Sequence, residues 1–423
     1  YSIAKKYYEA LLADPGNALF HLTDPRGASD KSGRTFNNPY QYFFEQMHMD
    51  DAIYADESIY EYPMQQGGGN DGRPYSFGRP SSGGSKAAYP CKSYGQGRIN
   101  PAYFYGVFDP NDMRRDVSIT MTGSNGKGVE KLIPFVPNSK AEGGGLTLNK
   151  WDENRQANPW VAAQRKSGIN GPYMRMSEVY LGYAEVCAAL GDVVTGKQYL
   201  KTVRERSFPQ GLANTDAFIA SFGNDLVRAI IEERGFEYAG EGDRRWTLIR
   251  SGYLPEDIKR IKDMTKAMMD GLATKGYYEF ENGNIISAYI WTKLVDAKTI
   301  YGHRLTAQCP TDKVNDPVLY PGWRGQKDNW EEMGLNYGSS TPATNLAIKG
   351  LFEIVSEEEA ASLESQGYTK VNWGIDLVDN RDEYDKYLFW DYDYVSAPIY
   401  LWPFTPNVMA AGGFTNGYGF KQE

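Results

Sequence analysis

The densest run of side chains that could do chemistry is Glu232-Glu233-Arg234, followed by Glu237, Glu241, Arg244, Arg245 and Arg250. Carboxylates beside guanidiniums can trade protons with a substrate or hold one another in bidentate pairs. The spacing favours holding. Glu233 and Glu237 share one face of a helix, and arginines of a following helix are placed to tie the pair together and cap free carbonyls. Asp391 and Asp393, in Phe389-Trp390-Asp391-Tyr392-Asp393-Tyr394, are the nearest match to the two carboxylates of a glycoside hydrolase. Their alternation with aromatics reads instead as a strand with one aromatic and one acidic face.

Other catalytic routes lack material. His21, His48 and His303 are the only histidines and form no ligand-spaced cluster, and no HExxH, GxSxG or Walker motif occurs. Gly240-Glu241-Gly242 runs into Asp243-Arg244-Arg245, which fails the dinucleotide pattern, and Gly123 to Gly128 lacks the Lys-Ser or Lys-Thr ending of a phosphate loop. Asn70-Asp71 and the Asp109 to Asp116 segment could take a structural calcium but do not follow calcium-loop spacing, so no cofactor is expected. Of the three cysteines, Cys187 lies in an apolar helical stripe and reads as core. Cys91 and Cys309 sit in turn-rich stretches, and whether they pair is left open.

These residues need elements to position them. Ile3, Ala4, Tyr7, Tyr8, Leu11 and Leu12 recur at helical spacing until Asp14-Pro15-Gly16-Asn17 ends the run. Met64 to Pro101 is too rich in Gly, Ser and Pro for regular structure, yet it keeps Tyr75, Phe77, Tyr89 and Tyr94 with Arg73, Arg79 and Arg98. A long loop that retains aromatics is more often functional than idle. Val117 to Thr122 predicts a short strand. After Pro172 a stripe through Met176, Val179, Tyr180, Tyr183, Ala184, Cys187 and Leu190 predicts a helix, Gly191-Asp192 a turn, and Gly196, Tyr199, Leu200 and Val203 a second helix. Tyr180, Ala184, Gly191, Gly196 and Leu200 fall at tetratricopeptide-like spacings, where small residues let paired helices approach. Leu226 to Tyr238 and Trp246 to Ile249 predict a second pair, Pro255 to Met269 a further helix, and Cys309 to Asn345 a second aromatic loop with Tyr320, Trp323, Trp330 and Tyr337.

Composition narrows the partners. With 45 basic and 54 acidic residues, a net charge of -9 and scattered arginines and lysines, the 423-residue chain disfavours nucleic acid. The 32 Tyr, 9 Trp and 18 Phe beside 45 Gly, at a mean hydropathy of -0.57, are suited to sugar platforms, protein interfaces and edge-packed cores alike. No apolar run of 18 residues occurs. The chain opens at Tyr1 inside a helical pattern, without a signal peptide or a lipid-attachment cysteine, and reads as a processed or truncated product.

Arg175-Met-Ser-Glu178-Val-Tyr-Leu181-Gly-Tyr183-Ala184-Glu185 resembles a helix-opening pattern of the SusD/RagB family of outer-membrane nutrient-binding lipoproteins. Glu233-Arg234, Glu237, Glu241-Gly242, Arg245 and Leu248-Ile249-Arg250 resemble its second signature. Tyr400-Leu401-Trp402-Pro403, with Asn416-Gly417-Tyr418, is similar to its C-terminal segment, departing at Phe404-Thr405 and Ala410 to Gly413. Glu57 to Tyr62 and Asp112 to Arg115 echo a preceding segment.

The resemblance implies a mainly α, SusD-like fold of tetratricopeptide-type helix pairs with long irregular loops and a few short strands. It implies a single domain over 1–423 that lacks the family's N-terminal part. Within it, 1–63 is a helical start, 64–172 a loop-rich ligand-binding insertion, 173–308 the helix-pair core and 309–423 aromatic loops with the C-terminal segment. It also implies a non-enzymatic glycan-capture subunit on the extracellular face of the outer membrane, held by an N-terminal lipid anchor absent from this chain. Its partners would be an oligo- or polysaccharide and a SusC-like TonB-dependent transporter barrel. A RagB-like peptide binder is the near variant, with a glycoside hydrolase or a helical-repeat scaffold behind it.

Family signatures do not carry ligand contacts, so site residues follow from physics. A sugar stacks its C–H face on an aromatic ring while polar side chains take its hydroxyls. Asn70, Asp71, Arg73, Tyr75, Phe77 and Tyr94 supply that combination within one loop. Trp323, Trp330 and Tyr337 are the second choice, and Trp151 and Trp160 the third.

Overall fold

A computed structural model describes residues 1–25, 38–47, 55–65, 77–80, 93–124, 130–135, 145–151, 168–296, 344–382, 404–413 and 415. The first apolar stripe folds as α1 (Ser2–Ala13), and α2 follows as Pro39–Gln46. β1 (Ser58–Tyr62) leads to a π-helical turn (Tyr103–Val107) and the one-turn α3 (Arg114–Ser118). The strand expected over Val117 to Thr122 is therefore replaced at its start by helix. Asp112 explains this locally, because it accepts the backbone N–H and the guanidinium of Arg114 and so favours a turn over extension. Short pairs β2 (Ile119–Thr120), β3 (Thr122–Ser124), β4 (Glu130–Leu132) and β5 (Thr147–Leu148) follow, with β2 on β5 and β3 on β4.

β6 (Gly171–Arg175) pairs antiparallel with β1, and the predicted helix pairs come next. α4 (Met176–Ala189) and α5 (Val193–Glu205) flank the expected turn, with Asp192 accepting the Thr195 N–H as N-cap. Gly196 lies so close to α4 that a Cβ there would sit 2.9 Å from the Ala184 carbonyl oxygen. α6 (Thr215–Ala220) precedes α7 (Leu226–Glu237), which Asp225 caps, and α8 (Asp243–Ser251). Gly240 and Gly242, at φ +81° and +95°, make the break between α7 and α8, a backbone conformation that glycine adopts without steric cost. α9 (Leu254–Lys275) extends the expected helix by about two turns, nearly all at its C-terminal end.

A sheet then appears that the sequence reading did not place. β7 (Tyr277–Glu279) and β8 (Ile285–Ser287) form a hairpin, and β9 (Tyr289–Asp296) is flanked by β10 (Thr344–Lys349) and β11 (Thr369–Asn372). Helices α10 (Glu357–Ser365), α11 (Gly374–Asp379) and α12 (Pro406–Gly412) complete the described chain. Ser356 and Glu359 close a reciprocal capping box on α10. The mainly helical architecture with a few short strands stands as expected.

Among the described residues, two of the hydrophobic cores join these layers. Leu181, Ala184, Leu200, Val203, Ala229 and Ile230 pack the helix pairs. Phe104, Tyr105, Met268, Ile290, Ile348 and Trp373 join the π-helical turn, α9 and the sheet, where Trp373 Nε1 donates to the Tyr105 hydroxyl at 2.8 Å. Helix α7 is buried along almost its whole length yet carries Arg228, Glu232, Glu233, Arg234 and Glu237. Buried charges of this kind require partners.

Candidate functional site: a tyrosine ribbon on a buried ion network

The partners of Glu233 and Glu237 come from three other segments, those of Arg114, Arg175 and Arg204–Arg206. Glu237 accepts from Arg175 Nη1 (2.5 Å), Arg206 Nη2 (2.8 Å) and Arg114 Nη1 (3.1 Å). Glu233 pairs with Arg114 (2.7 Å) and Arg204 (2.9 Å), and Glu57 with Arg206 (2.6 Å) and Arg175 (3.0 Å). Glu241 takes Arg175 (3.0 Å) and Lys150 (2.7 Å), while Asp112 holds Arg114 (2.7 Å). Five carboxylates thus meet five cations inside the protein.

Bracing of this region was expected, but the arginines expected to supply it were those after Glu237. That assignment is corrected: α8 leaves the Gly240–Gly242 turn on the side of Glu232, so Arg244 binds Glu232 (2.9 Å) and Asp257 (2.9 Å) instead. Arg250 reaches Glu185, and Arg234 binds Glu178 (2.7 Å) and Asp243. Burial alone would raise the Glu237 carboxyl, but Arg175, Arg206 and Arg114 override it and hold the group well below the usual carboxylate range. Burial likewise pushes Lys150 down to about 8 against the pull of Glu241. A carboxylate buried, ionised and bound by three guanidiniums has no proton to give a substrate, so Glu237 serves to position its neighbours.

What the cluster positions is the β1–β6 ribbon. Glu57 and Arg175 lie at one end, where the Met176 N–H also donates to the Glu57 carbonyl (2.9 Å). Glu61 points inward and accepts from the Ala55 N–H (2.8 Å), the Ser58 hydroxyl and Asn170 Nδ2 (2.9 Å). The pleat therefore turns the neighbours of Glu61 outward. Tyr60, Tyr62 and Tyr173 are 53%, 58% and 72% exposed, beside half-exposed Met174. The Tyr60 and Tyr173 rings stand 5.6 Å apart at 85°, an exposed aromatic corner. Sequence reading missed these tyrosines. The signal was the alternation Tyr60-Glu61-Tyr62, but the second strand that completes the corner lies more than 100 residues away.

Of the residues expected to bind ligand, Asn70, Asp71, Arg73, Tyr75, Trp323, Trp330 and Tyr337 lie outside the described residues, as do Trp160, His48, His303, Cys91, Cys309, Asp391 and Asp393. Phe77 and Tyr94 are described, on two segments that pack together. A Cβ on Gly97 would sit 3.6 Å from Phe77, and one on Gly95 would strike Pro80 at 2.3 Å. Phe77 is 52% exposed and Tyr94 half-buried. Beneath them Arg79 is buried, its N–H on the Trp151 carbonyl (2.8 Å) and its Nη2 on Thr122 (2.9 Å). The loop departs from the ribbon at Met64, whose N–H donates to Asn170 Oδ1 (2.8 Å). Trp151 is no platform: it is 1% exposed and packs with Leu148 and Ile169.

The remaining chemistry-bearing residues have structural partners. Asp112 and Asp116 hold Arg114 and Arg115, Asp109 accepts the Asn111 N–H (2.8 Å), and His21 Nε2 meets Asp56 at 2.9 Å. Cys187 is buried in α4, as its stripe predicts. Among the described residues no group of three or more His, Cys, Asp or Glu is set to hold a metal, and no helix is long and apolar enough to cross a membrane.

The family model of the SusD family matches residues 20–403, and the chain belongs to that family. It is similar to a SusD-like protein of Formosa agariphila, 28% identical over 160 residues that make up 38% of this chain and 26% of that one. Among solved structures it resembles a SusD homologue of Bacteroides thetaiotaomicron (19% identity, TM-score 0.44, 62% of this chain and 50% of that one). It also resembles the surface glycan-binding protein A of Bacteroides uniformis (20% identity, TM-score 0.39, 60% and 45%). The chain spans about a quarter of the curated relative and about half of the solved structures.

Proposed function

We propose that this protein captures an oligo- or polysaccharide at the cell surface, without cleaving it, and delivers it to a TonB-dependent transporter in the outer membrane. The observation that carries the reading is the exposed Tyr60–Tyr173 corner on a ribbon rooted in the buried ion network, in a chain of the SusD family. Stacking on such rings needs a rigid base, because each ring that must be immobilised on binding costs free energy. Glu61, Glu57 and Arg175 supply that base. The stretch from Met64 to Pro101 would add Asn70, Asp71, Arg73, Tyr75, Phe77 and Tyr94 as further contacts, with Trp323, Trp330 and Tyr337 from the later aromatic stretch. The protein would reside on the extracellular face of the outer membrane, held by a lipid on a preceding segment.

Affinity electrophoresis and calorimetry against a polysaccharide panel test the reading. Binding without product supports it. Turnover in the same mixtures, or binding of peptides with none of glycans, refutes it, the second result in favour of peptide capture.

A further inference from the structure

A cleft of about 530 Å³ opens where the π-helical turn, α6, α7, α9 and the β7–β8 hairpin meet. Small-molecule pockets run roughly 300–1,000 Å³. None of the residues lining it belongs to the ribbon or to the segments carrying Phe77 and Tyr94.

Its walls are aromatic and mutually braced. Tyr278 and Phe280 meet edge to face at 4.8 Å, and Phe218 and Phe222 at 5.2 Å. Gly106 lets the π-helical turn close one side, since a Cβ there would strike Phe280 at 2.4 Å and Met264 at 2.6 Å. π-Helical turns are rare and frequently mark functional sites.

Charges of both signs ring these walls. Arg204 lies 3.9 Å over the Phe218 ring while bound to Glu233. Arg260 gives one nitrogen to Asp257 (2.6 Å), and its buried Nε has no hydrogen-bond partner among the described residues. Asp109 commits one oxygen to Asn111, and Glu281 stands exposed. An anion in the cleft would face Asp109, Asp112, Glu232 and Glu281, and a cation would face Arg204 and Arg260. A neutral polyol fits both: its hydroxyls donate to the carboxylates and accept from the guanidinium, while its C–H face covers the aromatic wall.

We infer that this cleft is a second carbohydrate site, separate from the tyrosine ribbon and selective for uncharged sugar rings, an inference that rests on the glycan-capture reading. Ser221 provides the test, because it is exposed, lines the cleft, and its hydroxyl donates to the Phe218 carbonyl of its own helical turn. S221W should plug the cleft without touching the core, and E281Q removes one rim charge if the tryptophan variant fails to fold. Maltose, cellobiose and lactose are titrated calorimetrically into wild type, S221W, E281Q and the double variant Y60A/Y173A. At least one disaccharide should still bind once the ribbon is disabled in Y60A/Y173A, and its affinity for the cleft should fall about tenfold or more in S221W and severalfold in E281Q. Galacturonic acid and glucosamine should bind more weakly than galactose and glucose. If wild type binds these sugars and S221W and E281Q bind them equally well, the second site is refuted and the capture reading stands. Preference for either charged sugar refutes the selectivity. If neither the disaccharides nor the polysaccharide panel binds wild type, both inferences fall.

Discussion

Glu237 takes three guanidiniums on its carboxylate while its backbone carbonyl accepts the Tyr40 hydroxyl (2.7 Å) and Arg175 Nη2 (2.8 Å). Neutralising it leaves three buried arginines to share the remaining carboxylates Glu57, Glu233, Glu241 and Asp112, and breaking buried pairs in this way costs about 3–5 kcal/mol. E237Q should lose stability on that scale in urea unfolding. The pH sign follows from the depressed carboxyl: its contribution is complete above the unfolded value, near 4.3, and is lost as pH falls through the lower folded value. The acid arm of the wild-type stability curve should therefore be steeper than that of E237Q. Lys150 acts at the other end of the scale. Between its folded value of about 8 and the ordinary lysine value near 10.4 the unfolded chain binds more protons, so stability should rise with pH there, and K150M should lack that rise. The role of this cluster was legible in the sequence, since eight charges crowd one predicted helix pair. The partner of each charge was not, because Arg114, Arg175, Arg204 and Arg206 lie 29 to 123 residues from the glutamates of α7 that they bind.

Helix pairs were the most legible elements, and for local reasons: stripes at helical spacing, Asp192 and Asp225 as caps, and glycines where the chain turns. Two glycines on facing helices now separate into different predictions. A Cβ on Gly196 meets the backbone of α4, which cannot yield, so G196A should cost about 1–3 kcal/mol by overpacking. A Cβ on Gly182 meets the Tyr8 hydroxyl end, which can swing away, and helix propensity favours alanine by about 1 kcal/mol. G182A should leave the melting temperature nearly unchanged. Ribbon and sheet were illegible because their strands pair across distance: β1 finds β6, and β9 finds β10 and β11. No period within a single strand reports its partner. On the ribbon, Y60A/Y173A should weaken polysaccharide binding by about 1–3 kcal/mol, a scale borrowed from base stacking, at an unchanged melting temperature, because both rings are exposed.

Across the whole molecule, the acidic balance of -9 and the exposed tyrosines favour recognition by stacking and hydrogen bonding over ion pairing. Affinity for a neutral polysaccharide should therefore change less than about twofold between 50 and 500 mM salt in affinity electrophoresis, a range over which exposed ion pairs are strongly screened. Family and helical framework could be read from short signatures, whereas the site could not. Tyr60, Tyr173 and the cleft around Phe218 and Phe280 are assembled by the tertiary structure. The ion network also has a direction in time. Glu57 emerges from a ribosome or an export channel 118 residues ahead of Arg175 and 149 ahead of Arg206. An N-terminal portion released early would hold a carboxylate built for the interior with no cation to meet it. The ribbon cannot close before β6 has appeared, and its ion pairs are complete only once the chain as far as Glu241 has followed, so this surface is finished when most of the helical framework is already in hand.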